Sequence, residues 1–426
     1  MRALKVPAIK KRISPVLQFL AVVGIALTAS TELRAQVGNW PLAWAQWHNE
    51  TRDWGGIRTN LSDEGLDLGV LYTQDVAANP VGGLNQSATY GARLEGMAML
   101  DFEKIFGIKG SSLHYIMYQG LGQGLSQEVI GNDFGVTQIF SSDILAIANF
   151  SLEQNLLNDQ LYLSAGRLAV GDIFARDDTF AYYLNGALNS TPGQLLINQP
   201  TFTTYPFNIW GLAGNYTFPG NQYVSLGVYD ASVDDLNNAE NGFNFRFAPK
   251  GSVLMVGQVG VNPGKDDTSK YLRGHYQLGA FYNTGRVDVL GTTTTQTREG
   301  NWGAYAIARQ MIYQEKDLQG LSLWGLVTIA PQQAINTQPL GISGGLFYQG
   351  LIPNRDNDVT AGAFILGYFS DHLPGQSYEL VFEATHRYQF ADWSYLSLDF
   401  QYVVNPAGND DIPDAWVFGT EFSVKF

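Results

Sequence analysis

The alternation of apolar and polar residues at the carboxyl terminus is the feature that most constrains how this chain can fold. One parity holds Trp416, Phe418, Thr420, Phe422, Val424 and Phe426, and the other holds Val417, Gly419, Glu421, Ser423 and Lys425. Successive side chains of a β-strand point to opposite faces, so this segment predicts a strand with one apolar and one polar face. A strand of a soluble β-sandwich alternates in the same way. A membrane β-barrel is distinguished from it by recurrence of the pattern along the chain and by export of the chain.

Segments of this kind recur from residue 66 to the end, each about as long as a tilted strand needs to cross a bilayer. They span 66–76, 92–102, 112–121, 145–153, 160–169, 207–218, 222–230, 252–261, 270–282, 301–311, 319–329, 340–348, 359–368, 377–388, 393–404 and 415–426. In 145–153 we expect Ala146, Ala148, Phe150 and Leu152 on the apolar face. A further candidate, 242–248, would make the strand count odd, which is unusual for a bacterial barrel.

The lengths of the connections argue against 242–248 as a membrane strand. Without it, long connections (77–91, 122–144, 170–206, 231–251 and 283–300) alternate with short ones (103–111, 154–159, 219–221, 262–269 and 312–318). Outer-membrane barrels have long outside loops and short periplasmic turns. We therefore place 242–248 in the fourth outer loop, where a hairpin is one form open to it. The sequence predicts an all-β membrane protein, a 16-stranded antiparallel transmembrane β-barrel over residues 66–426.

Residues 1–30 have the order of a secretory signal peptide. Basic residues without any acidic residue occupy 1–14, an apolar run follows from Val16 to Ala29, and small residues come next. Cleavage after residue 30 and after residue 35 both fit, and a retained helical anchor is the alternative. We expect export to the outer membrane of a Gram-negative-type cell, with 31–65 as a periplasmic or lumenal segment.

Composition narrows the partners of the chain. The formal net charge is −14, so a nucleic-acid partner is not expected, because binding to phosphate backbones requires a basic surface. Cysteine is absent, which excludes disulfides and thiolate metal sites. No metal-ligand spacing is present, and no cofactor is expected. Charged residues make up only 15% of the chain, which favours an outer surface that faces lipid.

A barrel of sixteen strands encloses water, so selectivity depends on what narrows the lumen. The longest connection, 170–206, is a candidate because long loops without regular structure are usually functional or disordered. Its candidate solute contacts are Asp172, Phe174, Arg176, Asp177, Phe180, Tyr182 and Tyr183. Aromatic faces can stack on a sugar ring, and charged side chains can bond its hydroxyl groups. The alternative is an ordinary extracellular loop or a subunit contact.

Charged residues on the polar parity of the strands form a second candidate set. They are Arg93, Glu95, Arg246, Arg273, His275, Glu379, Glu383 and Arg387. Because acids and bases are both present, we expect no strong preference for anions. Arg167 shares its parity with apolar neighbours, so we expect a bulge or a strand end to turn it inward. Each of these residues could equally be a hydrated wall charge or part of a cross-strand ion pair.

Before the first strand, Ile57 and Leu61 lie four residues apart and Gly65 follows, which predicts a short helix with a glycine stop. From this segment onward the chain resembles a known family, the carbohydrate-selective outer-membrane porins of the OprB type. The resemblance is carried by the segments Asp53–Arg58, Phe102–Gly110, Gly166–Leu168 with Phe174–Ala175, Gly227–Asp230, Gly344–Asp356 and Asp399–Pro406. Family members often have Pro before the Asp of the last segment, where Ser397-Leu398 stand here.

The resemblance implies a sixteen-stranded barrel, often a homotrimer, that lets small sugars diffuse passively across the outer membrane. It also implies an eyelet of inward-folded loops with Arg, Glu and aromatic groups, here Arg93, Glu95 and the 170–184 loop. A porin for organic acids, phenolics or peptides is the alternative with the same architecture. We do not expect an enzyme, since the five histidines show no Ser/Asp/His pattern. The segment before strand one has too few residues to form the plug domain of a gated receptor.

Overall fold

Sixteen antiparallel strands close into one barrel, because the first strand pairs with the last. The computed structural model describes residues 53–139, 143–188, 191–232, 240–247, 251–265, 271–292 and 296–426. The strands are β1 Leu66–Val81, β2 Ser87–Asp101, β3 Ser111–Gly122, β4 Ile144–Leu156, β5 Leu161–Leu168, β6 Ile209–Thr217, β7 Gln222–Asp230, β8 Val253–Val261, β9 Gly274–Asp288, β10 Thr297–Lys316, β11 Gln319–Ile329, β12 Leu340–Gln349, β13 Val359–Tyr368, β14 Tyr378–Ala391, β15 Ser394–Val404 and β16 Ala415–Lys425.

Closure runs along β1 and β16, from the pair Leu71 and Lys425 to the pair Val81 and Trp416. A barrel without an open edge leaves no row of unpaired backbone groups, which hydrocarbon could not solvate. The predicted architecture is confirmed. Three predicted strands, 222–230, 319–329 and 359–368, have the predicted bounds.

The first predicted outer connection, 77–91, is wrong in length. Pairing continues through Ala77 with Thr89 and Asn79 with Ser87, so only 82–86 connects β1 to β2. Gly82 and Gly83 have positive φ values of 77° and 69°, which glycine adopts without steric cost. The polar residues in 77–91 therefore extend the hairpin instead of forming a long loop.

The two faces of β16 follow the predicted parity. Trp416, Phe418 and Phe422 are 46%, 49% and 40% exposed on the outside, whereas Val417 and Glu421 are buried on the inside. A period of two thus presents apolar side chains to lipid and the other parity to the lumen. The inner parity sets the surface available to a solute.

In β4 the predicted apolar face is wrong for Ala146 and Ala148, which are buried in an inner cluster with Ile116 and Tyr118. The register with β3 shifts between the pairs Ile116 with Asn149 and Met117 with Ile147, which leaves Ala148 without a partner. A bulge of this kind reverses the parity of the residues on one side of it relative to those on the other. Ala146 is therefore the partner of the buried Tyr118, on the inner side.

The helices are short: α1 Ile57–Asp63, α2 Phe102–Phe106 and α3 Gly193–Asn198. The predicted helix before strand one is α1, and Gly65 after it has a φ of +92°. The Lys104 ammonium group in α2 donates a hydrogen bond to the Ser62 carbonyl, so α1 lies beside α2 at the rim of the short connections. In the part of the chain that the structure describes, no helix has the length and apolar character to cross a membrane.

Residues 240–247, here called the outer strap, lie in the fourth outer connection, and the described part of this segment contains no strand. A 3-10 turn occupies Glu240–Gly242. The Phe245 ring packs edge-on against Phe150 of β4 and Trp210 of β6, at centroid distances of 5.2 and 6.3 Å. Both partners lie on the outward parity, so the strap covers the outside of the barrel wall.

Candidate functional site

The connection between β5 and β6, residues 169–208, is attached to the inner face of the barrel. Glu383 of β14 accepts hydrogen bonds from the backbone N–H groups of Leu184 at 2.5 Å and Asn185 at 3.2 Å. The side-chain amide of Asn185 donates to Gln401 Oε1 of β15 at 3.0 Å. Glu383 therefore holds the loop in place rather than presenting a free charge to the lumen.

Asp177 attaches the same loop to a second part of the wall. Its Oδ2 atom lies 2.7 Å from His275 Nδ1 of β9 and accepts from Arg309 Nε of β10 at 3.0 Å, while Oδ1 accepts from the Thr179 N–H group at 3.0 Å. Burial raises the pKa of Asp177, but the hydrogen bond with His275 and the charge of Arg309 outweigh burial and hold this pKa well below its usual range. The attachment is therefore an ionised carboxylate.

Three aromatic residues of the loop are packed against the wall. Phe180 and Tyr183 are fully buried, with ring centroids 5.1 and 5.6 Å from that of Trp324 in β11. The Tyr183 hydroxyl accepts from Trp324 Nε1 at 2.8 Å and donates to the Leu346 carbonyl at 3.0 Å. Phe174 is also fully buried. These predicted contacts have no exposed face for a sugar ring, and their role here is packing.

The connection between β3 and β4 also bonds to the inner wall, which the sequence did not indicate. Glu379 of β14 accepts from the N–H groups of Asp133 at 2.8 Å and Phe134 at 2.8 Å. The Gln138 amide donates to Glu421 Oε2 of β16 at 2.6 Å. Two loops, 123–139 and 169–208, are thus held by carboxylates that point inward from the strands.

The guanidinium group of Arg387 in β14 lies between two tyrosine rings. Its Cζ atom is 3.9 Å from the ring centroid of Tyr395 in β15 and 5.4 Å from that of Tyr182 in the loop. Its Nη2 group donates to the Ala181 carbonyl. Burial raises the pKa of Tyr182, while the charges of Arg387 and Arg309 oppose that rise, so its hydroxyl keeps its proton. Tyr182 and Tyr395 are both partly exposed.

Arg93 and Glu95 form an inward-facing ion pair on β2. Arg93 Nε lies 3.1 Å from Glu95 Oε1, and the arginine is the partner that reaches solvent.

Arg176 in the 169–208 loop pairs with Asp178 at 2.7 Å and donates to the Asp172 carbonyl at 3.1 Å. Burial raises the pKa of Asp172 to about 6, although the Arg176 charge opposes the rise.

The prediction that Arg167 turns inward is wrong. Pairing through β5 places Arg167 beside Phe150 and Trp210 without a register shift, so it stays on the outer face. It is buried because the outer strap covers it: Nη1 donates to the Asn244 carbonyl at 3.0 Å, and Nε donates to Asn208 Oδ1 at 2.7 Å. These protein oxygens, rather than lumenal water, accept the hydrogen bonds of the guanidinium group.

Arg273 and Arg246 do not lie on the inner wall either. Arg273 is exposed and precedes β9, at the rim of the short connections. Arg246 is exposed within the outer strap. Parity placed both on the polar face, but neither belongs to a strand.

Arg309, Tyr395 and Glu421 belong to this site and were not among the sequence candidates. Arg309 shares its parity with Tyr305 and Ile307, so its segment reads as apolar on that face. Tyr395 alternates with Leu396 and precedes Ser397 and Asp399 on the inner parity, a signal that was present in the sequence.

A buried Ser–His–Glu cluster lies on the inner wall at β3 and β4. Ser112 Oγ is 2.8 Å from His114 Nε2, and Glu153 Oε2 is 3.5 Å from the same nitrogen. A catalytic triad needs the acid on the opposite ring nitrogen, so that the histidine can accept the serine proton. This cluster therefore lacks the geometry for nucleophilic catalysis. Among the described residues, no group of three His, Asp or Glu side chains is placed to bind a metal ion.

A family model described as "Carbohydrate-selective porin, OprB family" matches residues 85–426. The chain belongs to the OprB family of carbohydrate-selective porins. OprB-family porins are channel proteins of the Gram-negative outer membrane, so the predicted location is confirmed. The sequence resemblance is confirmed as well, and it extends over most of the strands.

Individual relatives agree with the family over nearly the whole length. This OprB-family chain is 25% identical to the putative porin QuiX of Acinetobacter baylyi, over 95% of this chain and 97% of the relative. It is 24% identical to Porin B of Pseudomonas aeruginosa, over 88% and 90%. The high-pH structure of Pseudomonas putida OprB has a TM-score of 0.80 at 23% identity, covering 89% of this chain and 98% of that one. At this identity the structure comparison establishes the fold.

Proposed function

We propose that this OprB-family porin lets small sugars diffuse passively through an aqueous channel narrowed by loops 123–139 and 169–208. The observation that carries the proposal is the attachment of both loops to inward-facing carboxylates, Glu379 and Glu383. A loop held at several wall positions keeps a fixed opening, as a selective channel requires.

The solute-contacting surface in this proposal consists of Arg93, Arg309, Arg387, Tyr182 and Tyr395. Arg93, Arg309, Tyr182 and Tyr395 are partly exposed, and the Arg387 side chain is 10% exposed. Guanidinium groups bond hydroxyl pairs in a fixed geometry, and tyrosine faces pack against sugar C–H groups. Glu95, Asp177 and Glu421 are buried behind this surface and pair with Arg93, Arg309 and Arg387.

The proposal is tested by swelling of proteoliposomes in isosmotic sugars. We expect faster swelling in monosaccharides than in oligosaccharides, because a fixed opening excludes by size. Tyr182→Ala should weaken sugar block of ion current, whereas Tyr282→Ala, on the outward face of β9 and 46% exposed, should not. Equal swelling rates in all sugars would contradict carbohydrate selectivity. Faster passage of phenolics or peptides than of sugars would favour the alternative solute classes.

We also propose that residues 1–30 are a signal peptide and that 31–65 lie on the periplasmic side. The contact of α1 with α2 at the rim of the short connections supports the second part, while residues 1–52 are outside the described residues. Amino-terminal sequencing of the mature protein tests cleavage after residue 30 or 35. A mature protein that begins at Met1 would contradict it.

A homotrimer is proposed on the outward faces of β1 and β3. Gln74 pairs with the outward-facing Phe422, and Gln119 with the outward-facing Leu94, so both glutamine amides point to hydrocarbon. Gln74 Oε1 accepts from the Tyr72 hydroxyl and Gln119 Nε2 donates to the Gly120 carbonyl, so each amide is only partly satisfied. Unpaired amide groups in hydrocarbon are costly, and a second copy packed here would cover both. Cross-linking through Gln74→Cys in the membrane should give trimers. Cross-linking only through a distant outward site such as Tyr282→Cys would move the interface elsewhere.

A further inference from the structure

Three ion pairs on the inner wall share the same asymmetry of exposure. They are Arg93 with Glu95 at 3.1 Å, Arg309 with Asp177 at 3.0 Å and Arg387 with Glu421 at 3.6 Å. The arginine side chains are 16%, 22% and 10% exposed, whereas all three carboxylates are 0% exposed. In each pair the positive group meets the water of the lumen and the negative group lies behind it.

Each exposed guanidinium group has N–H donors that no protein group accepts within the described residues. Within the described residues, Arg309 donates to Asp177 through Nε alone, which leaves its two Nη groups without a protein acceptor. Arg93 likewise contacts Glu95 only through Nε. Arg387 uses Nε and Nη2, so its Nη1 group is unused. Arginine presents such donors as a planar fork that matches the two oxygens of a carboxylate.

The remaining acids of this wall do not cancel the exposed charge. Glu379 and Glu383 are buried and accept backbone hydrogen bonds from the loops. Asp75 and Asp399 are also buried. Asp178 is 76% exposed, but it forms an ion pair with Arg176 at 2.7 Å. On the strands of this wall a solute therefore meets cations before acids, while the exposed acids Glu128, Asp133 and Asp178 lie on the loops.

Tyr182 and Tyr395 lie on the same inner surface as the three guanidinium groups. Arg387 stacks on Tyr395 and lies over Tyr182. Arg93 pairs with Thr73, Thr73 with Ser423 and Ser423 with Tyr395, so Arg93 lies at the same level of the wall as Tyr395. Arg309 bonds Asp177, which belongs to the same loop as Tyr182. The three arginines and two tyrosines therefore lie along an arc of the inner wall that runs from β10 through β14 and β15 to β2.

We infer that this arc is a subsite for the carboxylate of an acidic sugar, an aldonate or uronate. This inference rests on the proposed function and narrows its substrate class from neutral to acidic carbohydrates. The unused Nη donors bond the carboxylate, while Tyr182 and Tyr395 contact the carbon skeleton. The buried carboxylates keep the arginines in place and are too deep to repel the solute.

The test compares glucuronate with glucose, which share a pyranose ring and differ by a carboxylate at C6. In single-channel recordings of the reconstituted full chain, glucuronate should block ion current at about a tenfold lower concentration, as one charge-assisted hydrogen-bond pair would give. A KCl gradient should give a reversal potential that favours chloride. Arg309→Gln and Arg387→Gln should reduce both effects. Arg246→Gln removes an exposed charge from the outer strap, on the outside of the barrel wall, and should change neither.

Arg387→Lys keeps the positive charge but removes the planar set of guanidinium N–H donors. It should therefore keep the chloride preference and lose most of the preference for glucuronate. Equal block by the two sugars, or a preference for potassium in the wild-type protein, would overturn the inference and leave sugar diffusion standing. A channel that neither sugar blocks or crosses would overturn the proposed function itself. Because the wild-type comparison needs no variant, a variant that fails to fold does not remove the test.

Discussion

Asp177 shows how a single carboxylate in this porin fixes a loop rather than contacts a solute. It joins three structural units, since His275 belongs to β9, Arg309 to β10 and Thr179 to the loop itself. The same use of carboxylates recurs at Glu379 and Glu383, which accept backbone N–H groups. At the residue scale, acids hold the loops, and arginines and tyrosines remain available to the lumen.

Asp177→Asn should release the 169–208 loop from β9 and β10, because a neutral amide cannot replace the charge between His275 and Arg309. We expect faster proteolysis of the loop in folded protein and noisier channel current. Asp178→Asn is the matched control, since Asp178 is exposed and pairs only with Arg176. Equal protease sensitivity of both variants would contradict the role of Asp177.

The same attachment has a predictable pH dependence. The pKa of Asp177 is lowered in the folded protein, so its contribution is complete above the ordinary value of 3.8 and is lost as the pH falls below it. Loop proteolysis by an acid protease should therefore rise in wild-type protein as the pH falls below about 4. Asp177→Asn should show no such rise. A wild-type rise that begins near neutral pH would assign the dependence to another group.

At the scale of elements, the outer strap shows how a loop can change the surroundings of a strand side chain. Arg167 lies on a lipid-facing parity, yet Asn244 of the strap and Asn208 satisfy its guanidinium group. The aromatic contacts of Phe245 with Phe150 and Trp210 hold the strap on the wall. The strap therefore makes a buried cation tolerable on the outside of the barrel.

Phe245→Ala should loosen the strap, because it removes both of these ring contacts. We expect a lower unfolding temperature in detergent and faster cleavage within the fourth outer connection. Phe243→Ala is the control, since Phe243 is 41% exposed and makes no ring contact among the described residues. If the two variants have the same unfolding temperature, the ring contacts do not hold the strap.

At the scale of the whole molecule, the polarity of the barrel is inside-out, with apolar side chains outside and polar side chains within. Phe418→Arg places a charge on the outward face of β16, where Phe418 is 49% exposed. The variant should weaken folding into bilayers by about 2–4 kcal/mol if the site is near the midplane. Folding is measured by heat-modifiable mobility on gels, with Phe418→Leu as the control. Unimpaired folding of the arginine variant would contradict a lipid-facing position.

Strand count, the bounds of β7, β11 and β13 and the outward face of β16 followed from the sequence alone. Each depends on period-two alternation and connection length, which are local properties that closure of the sheet does not alter. The helix α1 also followed, because Gly65 marks its end locally. Inward-facing charges such as Arg93 and Arg387 were found for the same reason.

Only the tertiary structure decided what those charges do. The β4 bulge reversed the face of Ala146, the strap enclosed Arg167, and the loops buried Phe180 and Tyr183 while leaving Tyr182 open. These outcomes depend on contacts between residues far apart in the chain, such as Leu184 with Glu383. Parity records which side of the sheet a residue faces, but a loop that returns to the wall determines whether water, lipid or protein meets it there.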